Sequence, residues 1–194
     1  MHYFDFLKNL LRKRYIVMGW VILMALQSQS QVFPVDTLMR NGERTNRINF
    51  VYLSDGYQSG ELSTYITDAT AINNALFLTT PFKEYKNYFN SYAVKVPSTE
   101  SGAKHPGTAL DEASSGGQPV IDPNNYFQST FDFFSIHRLL VPQDNAGVYN
   151  VLASNLPDYD QPFVVVNSAY YGGSGGSVAT ASSDPSSAEV ASMR

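Results

Sequence analysis

From Ile48 the chain reads INFVYLSDGY, apolar and aromatic residues with one polar interruption, then a Ser-Asp-Gly step. A short apolar run closed by turn residues predicts a buried strand over Ile48 to Leu53. Leu62, Tyr65, Ile66, Ala69, Ile72 and Leu76 then recur at steps of three and four, which lines one face of a helix. Thr80-Pro81 predicts a second, shorter helix through FKEYKNYF, because proline fits the first helical position. SYAVKVP returns to a strand, Tyr92 to Val96, stopped by Pro97. STESGAKHPGTALDEASSGGQPVIDPNN has no period and is rich in Gly, Ser and Pro, so it predicts a long surface loop, functional or disordered. NYFQSTFDFF is expected to pack through its aromatics, and IHRLLVP is a short strand candidate. DNAGVYNVLASNLP suits a helix capped by Asn145, with Val148, Val151 and Leu152 on one side. QPFVVVN has the continuous apolar character of a strand buried in a parallel sheet. Strands alternating with helices predict one layered α/β domain, and no internal repeat is visible.

The two ends depart from this pattern. Lys8, Arg12, Lys13 and Arg14 precede an apolar run from Tyr15 to Leu26. That run matches a signal-peptide core and falls short of the roughly 20 residues that span a bilayer. Residues 1–28 are therefore expected to be a signal peptide, cleaved near Ser28 or Ser30, that exports residues 29–194 without a stable membrane anchor. At the other end, Asp184-Pro185 followed by Ser186-Ser187-Ala188-Glu189 carries a helix-opening proline and a capping box.

Four of the 13 basic residues and one of the 17 acidic residues lie in the first 28 positions, so the remainder carries a net charge of −7. That balance excludes the phosphate neutralisation on which nucleic-acid binding depends. The absence of cysteine excludes a disulfide framework and leaves stability to an ordinary core.

Three chemistries can be weighed on the residues themselves. Gly172-Gly173-Ser174-Gly175-Gly176 matches G-x-S-x-G, so Ser174 is a candidate serine-hydrolase nucleophile. The motif needs an immediate helix and a later histidine; the next helix signal waits until Asp184 and no histidine comes after Ser174. The same glycines lack the G-K-[ST] of a phosphate loop. Beyond the leader the histidines are His105 and His137, and no H-E-x-x-H occurs. His105 with Asp111 and Glu112 could coordinate an ion from the loop, but the simpler expectation is a solvated His105, a structurally satisfied His137, and no metal bound by this chain.

Several longer blocks carry a resemblance. VDTLMRNGERTNRINFVYLSDGYQSGEL, PFKEYKNYFNSYAVKVPSTESGAKHP, STFDFFSIHRLLVP, PDYDQPFVVVNSAYYGGSGG and SSAEVAS together resemble the IgA-peptidase family of secreted bacterial zinc metallopeptidases, over Val35 to Ser192. The resemblance implies an incomplete zincin-like α/β domain with a mixed sheet and flanking helices, acting in full-length form on protein or peptide substrates. It implies that the helix opened at Asp184 is the zinc helix, whose H-E-x-x-H holds the metal and activates water. The first zinc histidine is then expected directly after Ser192, where the chain reads Met193-Arg194. These 194 residues are accordingly expected to be an inactive N-terminal part of such a peptidase, with no catalytic residue of their own. By the same analogy Phe163 to Asn167 and Tyr170, Tyr171, Gly172, Gly173, Ser174, Gly175 and Gly176 would form one lip of the substrate cleft, binding peptide as an added strand. A non-enzymatic exported domain that binds peptides or glycans is the alternative.

Overall fold

The computed structural model describes residues 31–184. The expected signal peptide, and the helix start beyond Asp184, lie outside the described residues. In chain order the elements are β1 (Val35–Met39), β2 (Ile48–Asp55), α1 (Leu62–Leu76), α2 (Phe82–Tyr85), β3 (Phe89–Val94), α3 (Asn145–Asn155), β4 (Gln161–Val166), β5 (Gly173–Ser174) and β6 (Ala179–Ser182). The six strands form one sheet in the order β1-β3-β2-β4-β6-β5. The four inner strands run parallel, and β1 and β5 close the two ends antiparallel. This is the mixed α/β domain that the alternating pattern predicts.

The inner strands alternate their side chains between two cores, because successive residues of a strand point to opposite faces. Val51, Leu53, Val94, Val164 and Val166 face Val148, Val151 and Leu152 of α3, together with Phe127, Phe131 and Leu140. Phe50, Tyr52, Ala93, Phe163, Val165 and Ala181 face Tyr65, Ala69, Ile72 and Leu76 of α1. Both helical stripes are those read from the sequence. Phe50 sits among Phe89, Phe163 and Phe77 with ring centroids 4.8, 5.2 and 5.9 Å away. Such pairs add about 0.5–1.5 kcal/mol each beyond their buried area.

Four expectations need correction. The strand at 161–166 is interior, paired with β2 on one side and β6 on the other, so it has no free edge on which to add a peptide strand. The cap of α3 is Asp144, whose carboxylate accepts from the Gly147 N–H; Asn145 is the first helical residue. The IHRLLVP segment forms isolated bridges from Leu139 and Val141 in place of a strand. Lastly, the stretch from Ser98 to Asn125 is no loose surface loop: it buries Ala103, His105, Gln118 and Asn125, and with the packed aromatics that follow, up to Val141, it folds back over the sheet.

Asp55 explains how so irregular a segment is held. It ends β2, fully buried, with Oδ1 accepting from Gly56 N–H at 3.1 Å and Phe127 N–H at 2.9 Å, and Oδ2 accepting from Ser129 N–H at 3.1 Å. The Ser98 hydroxyl donates to Oδ1 at 3.3 Å while itself accepting from Gly56 and Tyr126. Burial pushes the Asp55 carboxyl above the usual carboxylate range, and the hydrogen bonds from Ser129, Phe127 and Gly56 pull against that rise. Gly56 completes the corner with φ +71°, and a Cβ there would overlap the Gly102 carbonyl. Asp55→Asn turns an NH2 toward donors that need an acceptor. Each buried donor so orphaned costs about 1–3 kcal/mol. The expected outcome is an unfolding free energy lower by at least that amount, read as a lower urea midpoint with an unchanged m-value.

Candidate functional site

Two groups of residues carry candidate chemistry: one packs against the 98–141 segment and the other lies within it. The first is the glycine turn. After β4 the chain passes through Tyr170, packed against the α3-side core, and a half-exposed Tyr171. It then enters β5, whose Gly173 and Ser174 pair with Ala181 and Thr180 of β6. The residues predicted to border a cleft thus sit at the outer end of the sheet.

That edge is partly occupied. Gly173 N–H donates to the Arg138 carbonyl at 3.0 Å. Gly172 must be glycine for this approach: a Cβ would lie 2.5 Å from Phe131 Cε1 and 3.0 Å from the Arg138 oxygen. Beyond Gly173 the edge opens onto a hollow of about 190 Å³ lined by Ser174, Gly175, Gly176, Phe133 and Val141, among others. Ser174 therefore belongs to a hairpin, followed by strand β6. A nucleophile elbow requires strand, sharp turn and helix. Among the described residues no histidine hydrogen-bonds to Ser174.

The second group was not assembled from the sequence. His105, Glu112, Asp132 and His137 each bring one nitrogen or oxygen into a cluster whose atoms lie within 4.8 Å of one another. His105, Asp132 and His137 are buried, and Glu112 is half-buried at the rim. His105 Nε2 is 3.1 Å from Glu112 Oε1 and 3.6 Å from Asp132 Oδ1; His137 Nδ1 is 3.1 Å from that same Asp132 oxygen. Phe131 stacks on the His137 ring at 5.6 Å and 11° and meets His105 edge-on. The backbone is contorted here: Asp132, Phe134 and Ser135 all have φ between 51° and 63°, a region that side chains other than glycine rarely adopt. Asp132 Oδ2 accepts from Thr108 N–H, and Asp111 accepts from His137 N–H, so the flanking loops fix both residues.

These positions revise two expectations. His105 is not solvated, and the chain does contain a set of clustered ligand atoms. The signal was weak because the four residues come from three separated loop segments, with none of the i, i+4 spacing that helical ligands show. Asp111, weighed beside Glu112 as a loop ligand with His105, instead accepts from the His137 backbone N–H.

Gly172→Ala is expected to lower stability by about 1–3 kcal/mol through overpacking against Phe131. Gly60→Ala, where nothing lies within 4 Å, should stay within about 0.5 kcal/mol of wild type. Comparison of their urea midpoints checks both. A fluorophosphonate probe is expected to leave Ser174 unlabelled, and mass spectrometry of the treated chain reads this directly.

No curated protein matches the chain. A family model described as IgA Peptidase M64 matches residues 37–192, a span that includes the glycine turn and the histidine–carboxylate cluster. The chain therefore belongs to the IgA peptidase M64 family.

Proposed function

We propose that these residues form the substrate-side part of an exported zinc metallopeptidase that hydrolyses peptide bonds in proteins. The observation that supports this best is the M64 match over 37–192, combined with an antiparallel outer strand at the predicted cleft. A sheet edge binds an extended peptide through main-chain hydrogen bonds, which suits an enzyme acting on backbone amides. Gly175 and Gly176, next to Ser174, keep that edge free of bulky side chains. The role of Tyr170 to Gly176 is then to hold and align the substrate strand.

The 194 residues contain no H-E-x-x-H, so the side chains that hold a zinc of the family type and activate water are not among them. Residues 1–28 serve as the export signal, and among the described residues no helix is long and apolar enough to cross a membrane. A second reading, a binding domain without catalysis, draws on a different surface. Ile48, Phe82, Tyr85, Tyr88 and Phe89 line a largely apolar hollow of about 610 Å³ at the other end of β2.

Incubation with immunoglobulin A and with unfolded casein tests the first reading. The chain alone is expected to cleave neither, while casein peptides protect the amides of Ser174 to Gly176 from hydrogen exchange. Gly175→Pro removes one edge N–H. Losing such a bond costs about 0.5–1.5 kcal/mol, so peptide Kd should rise about two- to tenfold. Protection centred on Tyr85 and Tyr88 would favour the second reading. Chelator-sensitive cleavage by the chain itself would overturn the assignment of catalysis to residues outside it.

A further inference from the structure

The cluster under Phe131 has a chemistry that hydrogen bonding alone does not explain. His105 Nδ1 is 3.0 Å from the Pro119 carbonyl oxygen. A carbonyl only accepts, so the ring proton sits on Nδ1 and the Nε2 lone pair points inward. Two carboxylate oxygens face that lone pair, Glu112 Oε1 at 3.1 Å and Asp132 Oδ1 at 3.6 Å. Neither contact has hydrogen-bond geometry: the fully buried His105 Nε2 has no hydrogen-bond partner, and neither does the buried Glu112 Oε2. Acceptors converging in a buried space repel one another unless a cation lies between them, and a buried polar atom without a partner costs about 1–3 kcal/mol.

We propose that His105, Glu112, Asp132 and His137 bind a zinc ion that locks the 98–141 segment. A tetrahedral zinc with bonds of about 2.0–2.1 Å sets its ligand atoms about 3.3 Å apart. The separations of His105 Nε2 from Glu112 Oε1 and Asp132 Oδ1, 3.1 and 3.6 Å, bracket that value, and all four ligand atoms lie within 4.8 Å of one another. His137 Nδ1, which hydrogen-bonds Asp132 Oδ1 at 3.1 Å, exchanges that proton for the ion on binding. The Pro119 carbonyl supplies the outer hydrogen bond that metal-bound histidines characteristically make, fixing tautomer and ring direction. Two imidazoles with two carboxylates suit zinc better than calcium or magnesium, which take oxygen ligands. Four protein ligands leave no open position, so the ion is structural. Its ligands span 105 to 137, so it ties down the stretch between Ser98 and Phe127, the points at which Asp55 anchors the segment. The half-exposed Glu112 provides the entry path.

The test uses the full chain, stripped of metal with a chelator and titrated with Zn2+ against a chromophoric indicator. The expected result is one equivalent bound with a Kd of about 1 μM or tighter. Melting temperature should rise with zinc and stay unmoved by calcium. Co2+ in place of zinc should give the intense visible bands of tetrahedral coordination. Glu112→Gln, a near-isosteric change at the half-exposed rim, should weaken zinc about tenfold or more. His105→Gln should abolish the stoichiometric site. Absence of a one-equivalent site in the wild-type chain would overturn the proposal, as would a site that both variants leave intact or an octahedral cobalt spectrum.

Discussion

Asp55 is the residue through which the ordered sheet organises a segment that has no order of its own. Its position follows from β2, which delivers the carboxylate to the end of the central strand with both cores already sealed beside it. There it meets the N–H groups of Phe127 and Ser129, more than seventy positions on, and of Gly56 next to it. A carboxylate in that setting is costly to bury and is tolerated because several donors converge on it. The donors in turn come from backbone that would otherwise be buried without partners. Each side of the contact needs the other, which makes the end of β2 and the start of the aromatic stretch 126–134 one structural unit.

The seating of Phe131 depends on this unit. Its ring reaches the α3-side core, stacks on His137, and fills the space left by the missing side chain of Gly172. The histidine cluster and the outer strand β5 are therefore mechanically connected through one aromatic ring. Arg138, next to His137, accepts the hydrogen bond from Gly173 on the same edge. A change that displaces the His105–His137 cluster will be felt at the edge where a peptide strand is proposed to lie.

The sheet and helices were legible because burial there follows a period. Tyr65, Ala69, Ile72 and Leu76 repeat with the helix, and FVVV at 163–166 is apolar on both faces because its strand is covered on both. β5 and β6 were not legible: Gly173-Ser174 carries almost no side chain to read, and Ala179 to Ser182 is small and polar yet fully covered. The 98–125 stretch was misread for a related reason, although the packing of the aromatics after it was expected. Its order comes from pairings such as Lys104 N–H with Ser129, His105 with Ile121 and Phe131 N–H with Lys104, all distant in sequence and made by backbone. Composition rich in Gly, Ser and Pro reports a lack of periodic structure, and here that lack coexists with dense packing. The family resemblance succeeded where periodicity failed, because blocks such as ESGAKHP and YYGGSGG record positions in the fold without needing a period.

Ordering a long irregular segment removes about 1–2 kcal/mol of backbone entropy per residue. The 98–141 stretch offsets this with buried Phe127, Phe131 and Leu140, with Asp55 and Ser98, and with scattered main-chain pairs. These anchors concentrate near 98–103 and 125–131. The stretch between, from Pro106 to Pro119, is sparsely buried, and Leu110 and Val120 near its ends lie in solvent. His105 stands at one end of that stretch, Glu112 is inside it, and both face Asp132 and His137 across the gap. A cation at that point bonds the least anchored part of the segment to the most contorted one. The left-handed backbone at Asp132, Phe134 and Ser135 then has an evident use: it turns Asp132 and His137 toward the ligands presented from the opposite loop.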